Sequence, residues 1–214
     1  DGICARYGMM VDIHDEYRPT GFSRTYPNLM TQEGVGGNEE FPNATHNVTL
    51  PFTRFIAGPA DYTLCYFDKR IKTTHAHQLA MAIVYYSPIQ FMYWYDKPTL
   101  YGGEKELELW KEIPTVWDET RALQGEPGEY IVTARRSGND WYLGAMTGNK
   151  GREITIKTDF LQKGKKYMMT LYQDDASYPS KTKVKIIHKL IKGAKVIRLQ
   201  LQESGGAAAH FRVM

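Results

Sequence analysis

VDIHDEYRPTGFSRTYPNLMTQEGVGGNEE, residues Val11–Glu40, decides how the first half of the chain reads, because it sets isolated carboxylates just beyond two short apolar runs. The first run, Tyr7–Ile13, is apolar apart from Asp12 and ends at His14 and Asp15, so it reads as a largely buried strand. The second, Leu29–Thr31, ends at Gln32 and Glu33, and the glycine-rich Gly34–Gly37 then delivers Glu39 and Glu40. Parallel (β/α) architectures draw their functional groups from the C-terminal ends of strands and the loops that follow, so acids recurring there mark a candidate site. Each acid taken singly also fits a solvated loop residue. That description suits Glu16 and Glu40 best, and Asp15 least, since Asp15 follows an apolar run and adjoins a histidine.

Further along, Ala76–Tyr86 repeats its apolar residues at helical spacing, and the aromatic run Phe91–Tyr95 after Ser87-Pro88 reads as that helix restarting. Lys97–Trp117 is charged and punctuated by Pro and Gly, as a connection would be. Beyond Gly128 the pattern becomes strand after strand. Glu129–Arg135 and Asp140–Met146 flank the turn sequence Ser137-Gly138-Asn139, which predicts a hairpin. Arg152–Lys157, Lys166–Tyr172, Thr182–His188 and Ala194–Leu201 continue the series, and short strands at regular spacing predict an antiparallel β-sandwich.

Several motifs together resemble glycoside hydrolase family 97. They are the His14-Asp15 pair followed by Pro19–Gly21, then Arg24–Asn28, the Gln32-Glu33-Gly34 and Asn38-Glu39 elements, and Leu50–Thr63. Their order and spacing agree with the family over roughly the first 95 residues. The family's members are bacterial α-glucosidases and α-galactosidases with an N-terminal β-sandwich, a central (β/α)8 barrel and a C-terminal β-domain. The resemblance implies an α/β plus all-β chain: the C-terminal portion of a barrel over residues 1–97, a connection over 98–127 and a β-sandwich over 128–214. A complete barrel takes about 250 residues, and this chain of 214 begins at Asp1 without a leader sequence. It therefore reads as the C-terminal part of a longer protein whose upstream part it needs.

Composition narrows the function classes. A net charge of +3, dispersed along the chain, gives nucleic acid little purchase. No apolar run reaches the length of a membrane span. The two cysteines, Cys4 and Cys65, match no metal motif and read as thiols rather than a disulfide. Fifteen tyrosines and four tryptophans suit stacking on sugar rings, although strand packing accounts for most of them.

The resemblance also assigns chemistry. It implies α-glycoside hydrolysis by paired carboxyl groups, with Glu39 as general acid and Glu33 and Glu39 holding a Ca2+ ion, a cation that prefers oxygen ligands. Asp15 falls where inverting members carry a glutamate that activates water, which tilts the reading toward inversion. Retaining members instead use an aspartate from an earlier strand, outside this sequence. His14, His46 and Arg24 are the candidate substrate-binding residues, and Arg54 is a possible partner of the acids. A glycoside substrate, the upstream part of the same protein and a periplasmic or secreted address complete the expectation. Two rivals stand beside it: a zinc hydrolase built on His14, Asp15 and Glu33, and a non-catalytic carbohydrate-binding sandwich with a barrel remnant.

Overall fold

Backbone pairing in the first half follows the acids. The computed structural model describes residues 1–15, 18–193 and 195–214, so Glu16 lies outside the described residues. Helix α1 (Gly2–Arg6) precedes strand β1 (Val11–Ile13), and helix α2 (Phe22–Thr25) precedes strand β2 (Leu29–Gln32). β1 and β2 pair in parallel, Val11 opposite Leu29 and Ile13 opposite Gln32. Single parallel bridges extend the arrangement from Gln32 to Ala60 and, further on, from Leu64 to Met92. A closed (β/α)8 barrel is not formed among the described residues. The Tyr7–Ile13 strand is also shorter than expected: Tyr7 caps the end of α1, Gly8 turns the chain at φ 65, and Met9 and Met10 stay exposed. Leu29 and its neighbours do form the expected buried strand.

Helix α3 (Ala44–Thr49) is capped by Asn43, whose side-chain oxygen accepts from the His46 amide. Helix α4 (His75–Val84) starts at Thr74, which accepts from the His77 amide in the same way. Residues Ala76–Val84 are all buried, as expected of a helix apolar around most of its circumference. The helix does not restart. Phe91–Tyr95 is irregular chain held by the bridge at Met92, and Tyr93 adopts a left-handed φ of 61 that helical continuation forbids.

After the short helix α5 (Glu108–Glu112), the second half is antiparallel. Strands β3 (Glu119–Glu126), β4 (Tyr130–Ser137), β5 (Asp140–Thr147), β6 (Arg152–Lys157), β7 (Lys166–Asp174), β8 (Val184–Lys192), β9 (Val196–Leu201) and β10 (Gly206–Val213) form two sheets. One has the order β3-β4-β5-β10-β7-β8, and the other is the pair β6-β9. The predicted hairpin is β4–β5, with Ser137 opposite Asp140 and Gly138 at φ 59. β3 lies inside the stretch read as a connection: its residues pair along β4, but as a mostly exposed edge strand it lacks the apolar alternation that would reveal it.

The two-stranded sheet alternates buried and exposed residues, with Ile154, Ile156, Ile197, Leu199 and Leu201 facing the six-stranded sheet. The central strands β5 and β10 are buried on both faces, because α4 covers the side away from β6-β9. Leu79 and Ile83 of α4 share one core with Ile131, Met146, Tyr172 and Ala208 of the sheet. The two halves of the chain are therefore joined by packing. The described residues include no helix long and apolar enough to cross a membrane, and both cysteines are free thiols.

Small residues bring α4 this close. A Cβ on Gly206 would fall 2.7 Å from the His77 Cα and 3.0 Å from the Ala76 and Ala145 carbonyl oxygens. Those atoms are backbone, so relief requires α4 to move. Gly206→Ala should destabilise the protein by about 1–3 kcal/mol, the usual cost of overpacking. Thermal melting of the two proteins checks this, and an unchanged Tm would refute the close-packing account.

Candidate active site

Four acidic or basic side chains converge where the parallel segments end. His14 follows β1, Glu33 follows β2, and Asp61 follows Ala60, which is bridged to Gln32. Glu39 comes from the 3₁₀ turn Asn38–Glu40. That turn is pressed against the Asp61 segment, since the Asn38 amide donates to the Tyr62 carbonyl at 3.2 Å. Only glycine fits the residue before it: a Cβ on Gly37 would lie 2.5 Å from the Tyr62 carbonyl oxygen. The Asn38 side chain anchors the turn from below by donating to Gln78 Oε1 on α4 at 2.9 Å.

His14 is the hub. Its Nδ1 is 3.2 Å from Asp61 Oδ2 and 3.7 Å from Glu33 Oε2, and its Nε2 is 3.0 Å from Glu39 Oε1. The last approach is close enough for an ion pair but out of line for a hydrogen bond, so the buried Glu39 Oε1 has no hydrogen-bond donor among the described residues. Partial burial opposes a charge on His14, but Glu33, Asp61 and Glu39 outweigh it and raise its pKa. Burial raises Glu33, against the opposing influence of His14 and of a hydrogen bond from the Asp15 backbone. Asp61 is fully buried and is raised for the same reason. Asp12 of β1 hydrogen-bonds to it, and burial together with the Asp61 charge pushes Asp12 up to about 6. Such a cluster can hold a carboxyl group protonated near neutral pH beside groups that remain charged.

Of the sequence candidates, His14, Glu33 and Glu39 come together, with one ligand atom of each within 4.8 Å of the others. Asp15 does not join them: it is exposed, at a left-handed φ of 76, and meets Glu33 through its backbone. His46 turns toward the loop, its Nε2 lying 3.0 Å from the Gly36 carbonyl, so it braces the segment between Glu33 and Glu39. Arg24 is exposed on α2, and among the described residues no hydrogen bond or ion pair joins it to the cluster. Among the described residues no hydrogen bond or ion pair joins Arg54 to the acids' side chains. Its guanidinium donates to the carbonyls of Gln32, Glu33, Gly34, Gly58 and Pro59, and burial lowers its pKa. An arginine inside the largely apolar LPFTRF segment was the available signal for this buried role. Trp94, whose ring centroid lies 5.1 Å from that of His14, carried no such signal.

The donor set suits a hard cation in part. Glu33 and Glu39 supply two carboxylates, and the unbonded Glu39 Oε1 is an acceptor that a cation would satisfy. His14 offers nitrogen, which calcium does not favour, so its place beside an ion is that of a neighbour.

Comparison with known proteins adds an independent finding. Residues 116–212 match the family described as "Glycosyl-hydrolase 97 C-terminal, oligomerisation", and residues 2–35 match "Glycoside hydrolase 97". A retaining α-galactosidase of Bacteroides thetaiotaomicron is 38% identical over 193 residues, covering 80% of this chain and 29% of its own length. A probable retaining α-galactosidase of Streptomyces bingchenggensis is 38% identical over 148 residues, covering 65% of this chain and 22% of its own. Among solved structures, a glycoside hydrolase family 97 enzyme of Pseudoalteromonas sp. strain K8, in complex with acarbose, superposes with a TM-score of 0.91 at 34% identity. It covers 100% of this chain, which covers 36% of it. A β-arabinopyranosidase superposes at 0.82 with 27% identity, over 98% of this chain and 35% of its own. The chain thus spans about a third or less of the length of these relatives.

Proposed function

Since the chain belongs to glycoside hydrolase family 97, we propose that the whole protein hydrolyses α-galactosides with retention of anomeric configuration, and that Glu39 is its general acid and base. One observation carries the assignment: Glu33 and Glu39 converge on His14 at the ends of parallel segments, with a buried Glu39 oxygen left without a hydrogen-bond donor among the described residues. In this reading residues 1–97 complete a (β/α)8 barrel with the rest of the protein. The relatives named as retaining α-galactosidases support the stereochemistry and the sugar. The β-arabinopyranosidase supports a pyranoside substrate more generally. α-Glucosides are the second reading, favoured by the likeness to the acarbose complex.

The chemistry follows from two displacements. In the first, the Glu39 carboxyl gives its proton to the departing glycosidic oxygen as an aspartate outside this sequence bonds to C1. In the second, water attacks C1, the aspartate leaves, and Glu39 takes the water's proton. His14 holds Glu39 and Asp61 in register across its two ring nitrogens. A Ca2+ ion held by Glu33 and Glu39 would add positive charge beside the sugar's hydroxyls. Asp15 then has a backbone role. Its left-handed φ is one that aspartate tolerates better than most residues, and it brings its amide to Glu33.

NMR of the first product anomer tests the stereochemistry. The wild type should release α-galactose first, and Asp15→Asn should keep substantial turnover with the same anomer. A β-anomer from the wild type, or collapse of activity in Asp15→Asn, would restore Asp15 as a water-activating base and overturn retention.

A further inference from the structure

We propose that Trp94 is a sugar-stacking residue of this site, with its indole against the apolar face of the galactosyl ring; the inference rests on the α-galactoside reading. The segment before it is built to present the ring. Leu64, three residues after Asp61, donates its amide to the Phe91 carbonyl at 2.9 Å and accepts from the Trp94 amide at 3.0 Å. Phe91–Trp94 therefore wraps around the end of the segment that carries Asp61. Tyr93 makes the turn at a φ of 61, an unfavourable conformation for a bulky side chain, and so aims the next residue.

The result is an indole tilted by 33° against the His14 imidazole, with Phe91 edge-on behind it at 5.9 Å and 86°. Packing against His14 and Phe91 fixes the ring at the edge of the acid cluster, and within this chain it is 38% exposed.

Sugar chemistry gives the open surface a use. The axial O4 of galactose leaves the hydrogens on C3, C4 and C5 together on one face, an apolar patch that matches an aromatic ring. In glucose the equatorial O4 puts the C4 hydrogen on the opposite face. The same geometry makes Trp94 a determinant of preference between the two sugars.

Trp94→Ala and Trp94→Phe in the full-length protein provide the test, with free galactose and free glucose as titration probes and p-nitrophenyl α-galactoside as substrate. Galactose affinity should fall at least tenfold in Trp94→Ala, glucose affinity should fall less, and Trp94→Phe should recover most of the loss. KM should rise more than kcat falls. Unchanged galactose affinity in Trp94→Ala, with a lowered kcat, would show that the indole only orients His14 and would overturn the proposal. A wild type that binds galactose but hydrolyses no α-galactoside would defeat the hydrolase reading instead, and the affinities of the variants would still decide the role of Trp94.

Discussion

Glu39→Gln in the full-length protein should lower turnover of an α-galactoside with a poor leaving group about 10³-fold, within the range that general acid catalysis supplies. An aryl α-galactoside with a good leaving group should suffer much less in its first step, because its departing oxygen needs no proton. Its covalent intermediate should then accumulate, since Glu39 is also the base that activates water in the second step. The predicted signature is a burst of aryl alcohol followed by slow steady-state release. External azide, which needs no general base, should speed that second phase and give a galactosyl azide of retained configuration. Equal losses on both substrates, with no burst, would mean that Glu39 serves the metal or the fold rather than proton transfer. Glu40→Gln is the control: its exposed side chain lies outside the cluster, and the change should be mild.

Placement beyond short apolar runs marked a group of acids, but it favoured Asp15 most, which stays outside the cluster, whereas Glu33 and Glu39, singled out by the family resemblance, come together with His14. The sandwich was legible, since Arg152–Lys157 alternates and the Ser137-Gly138-Asn139 turn leaves one simple pairing. β3 was hidden because an edge strand with few buried residues has no face to alternate. Phe91–Tyr95 was misread because five consecutive large residues, nearly all aromatic, satisfy a helical period as readily as any other. Long-range backbone contacts leave no periodicity at all. His46 and Arg54 act on carbonyls that belong to other segments, so residue type alone suggested sugar or carboxylate partners for them.

Arg54 is where that blind spot has the largest consequence. Its Nε donates to Gly34 at 3.0 Å, one terminal nitrogen to Gly58 at 3.1 Å, and the other to Gln32, Glu33 and Pro59 at 2.8, 3.0 and 3.1 Å. The guanidinium thus ties the end of β2 and the start of the Glu33–Glu39 loop to the Gly58-Pro59 turn that leads into Asp61. A planar fork can span carbonyls on two segments, whereas a lysine ammonium is a point donor at the end of a flexible stem. Arg54→Lys should therefore leave some of these carbonyls unpaired, at about 1–3 kcal/mol for each one that stays buried, and lower the Tm accordingly. Activity should fall further than the stability loss requires. A displacement of about 1 Å in a catalytic group costs on the order of 10²-fold, and here both carboxylates ride on the loosened loop. Assays well below the variant's Tm, with circular dichroism confirming the fold, separate the two effects. The loss should appear in kcat and in the affinity for added Ca2+ together, because Glu33 and Glu39 move as one unit. A folded Arg54→Lys protein with wild-type kcat and wild-type Ca2+ affinity would show that the loop holds its acids without the guanidinium, and the positioning role would be lost.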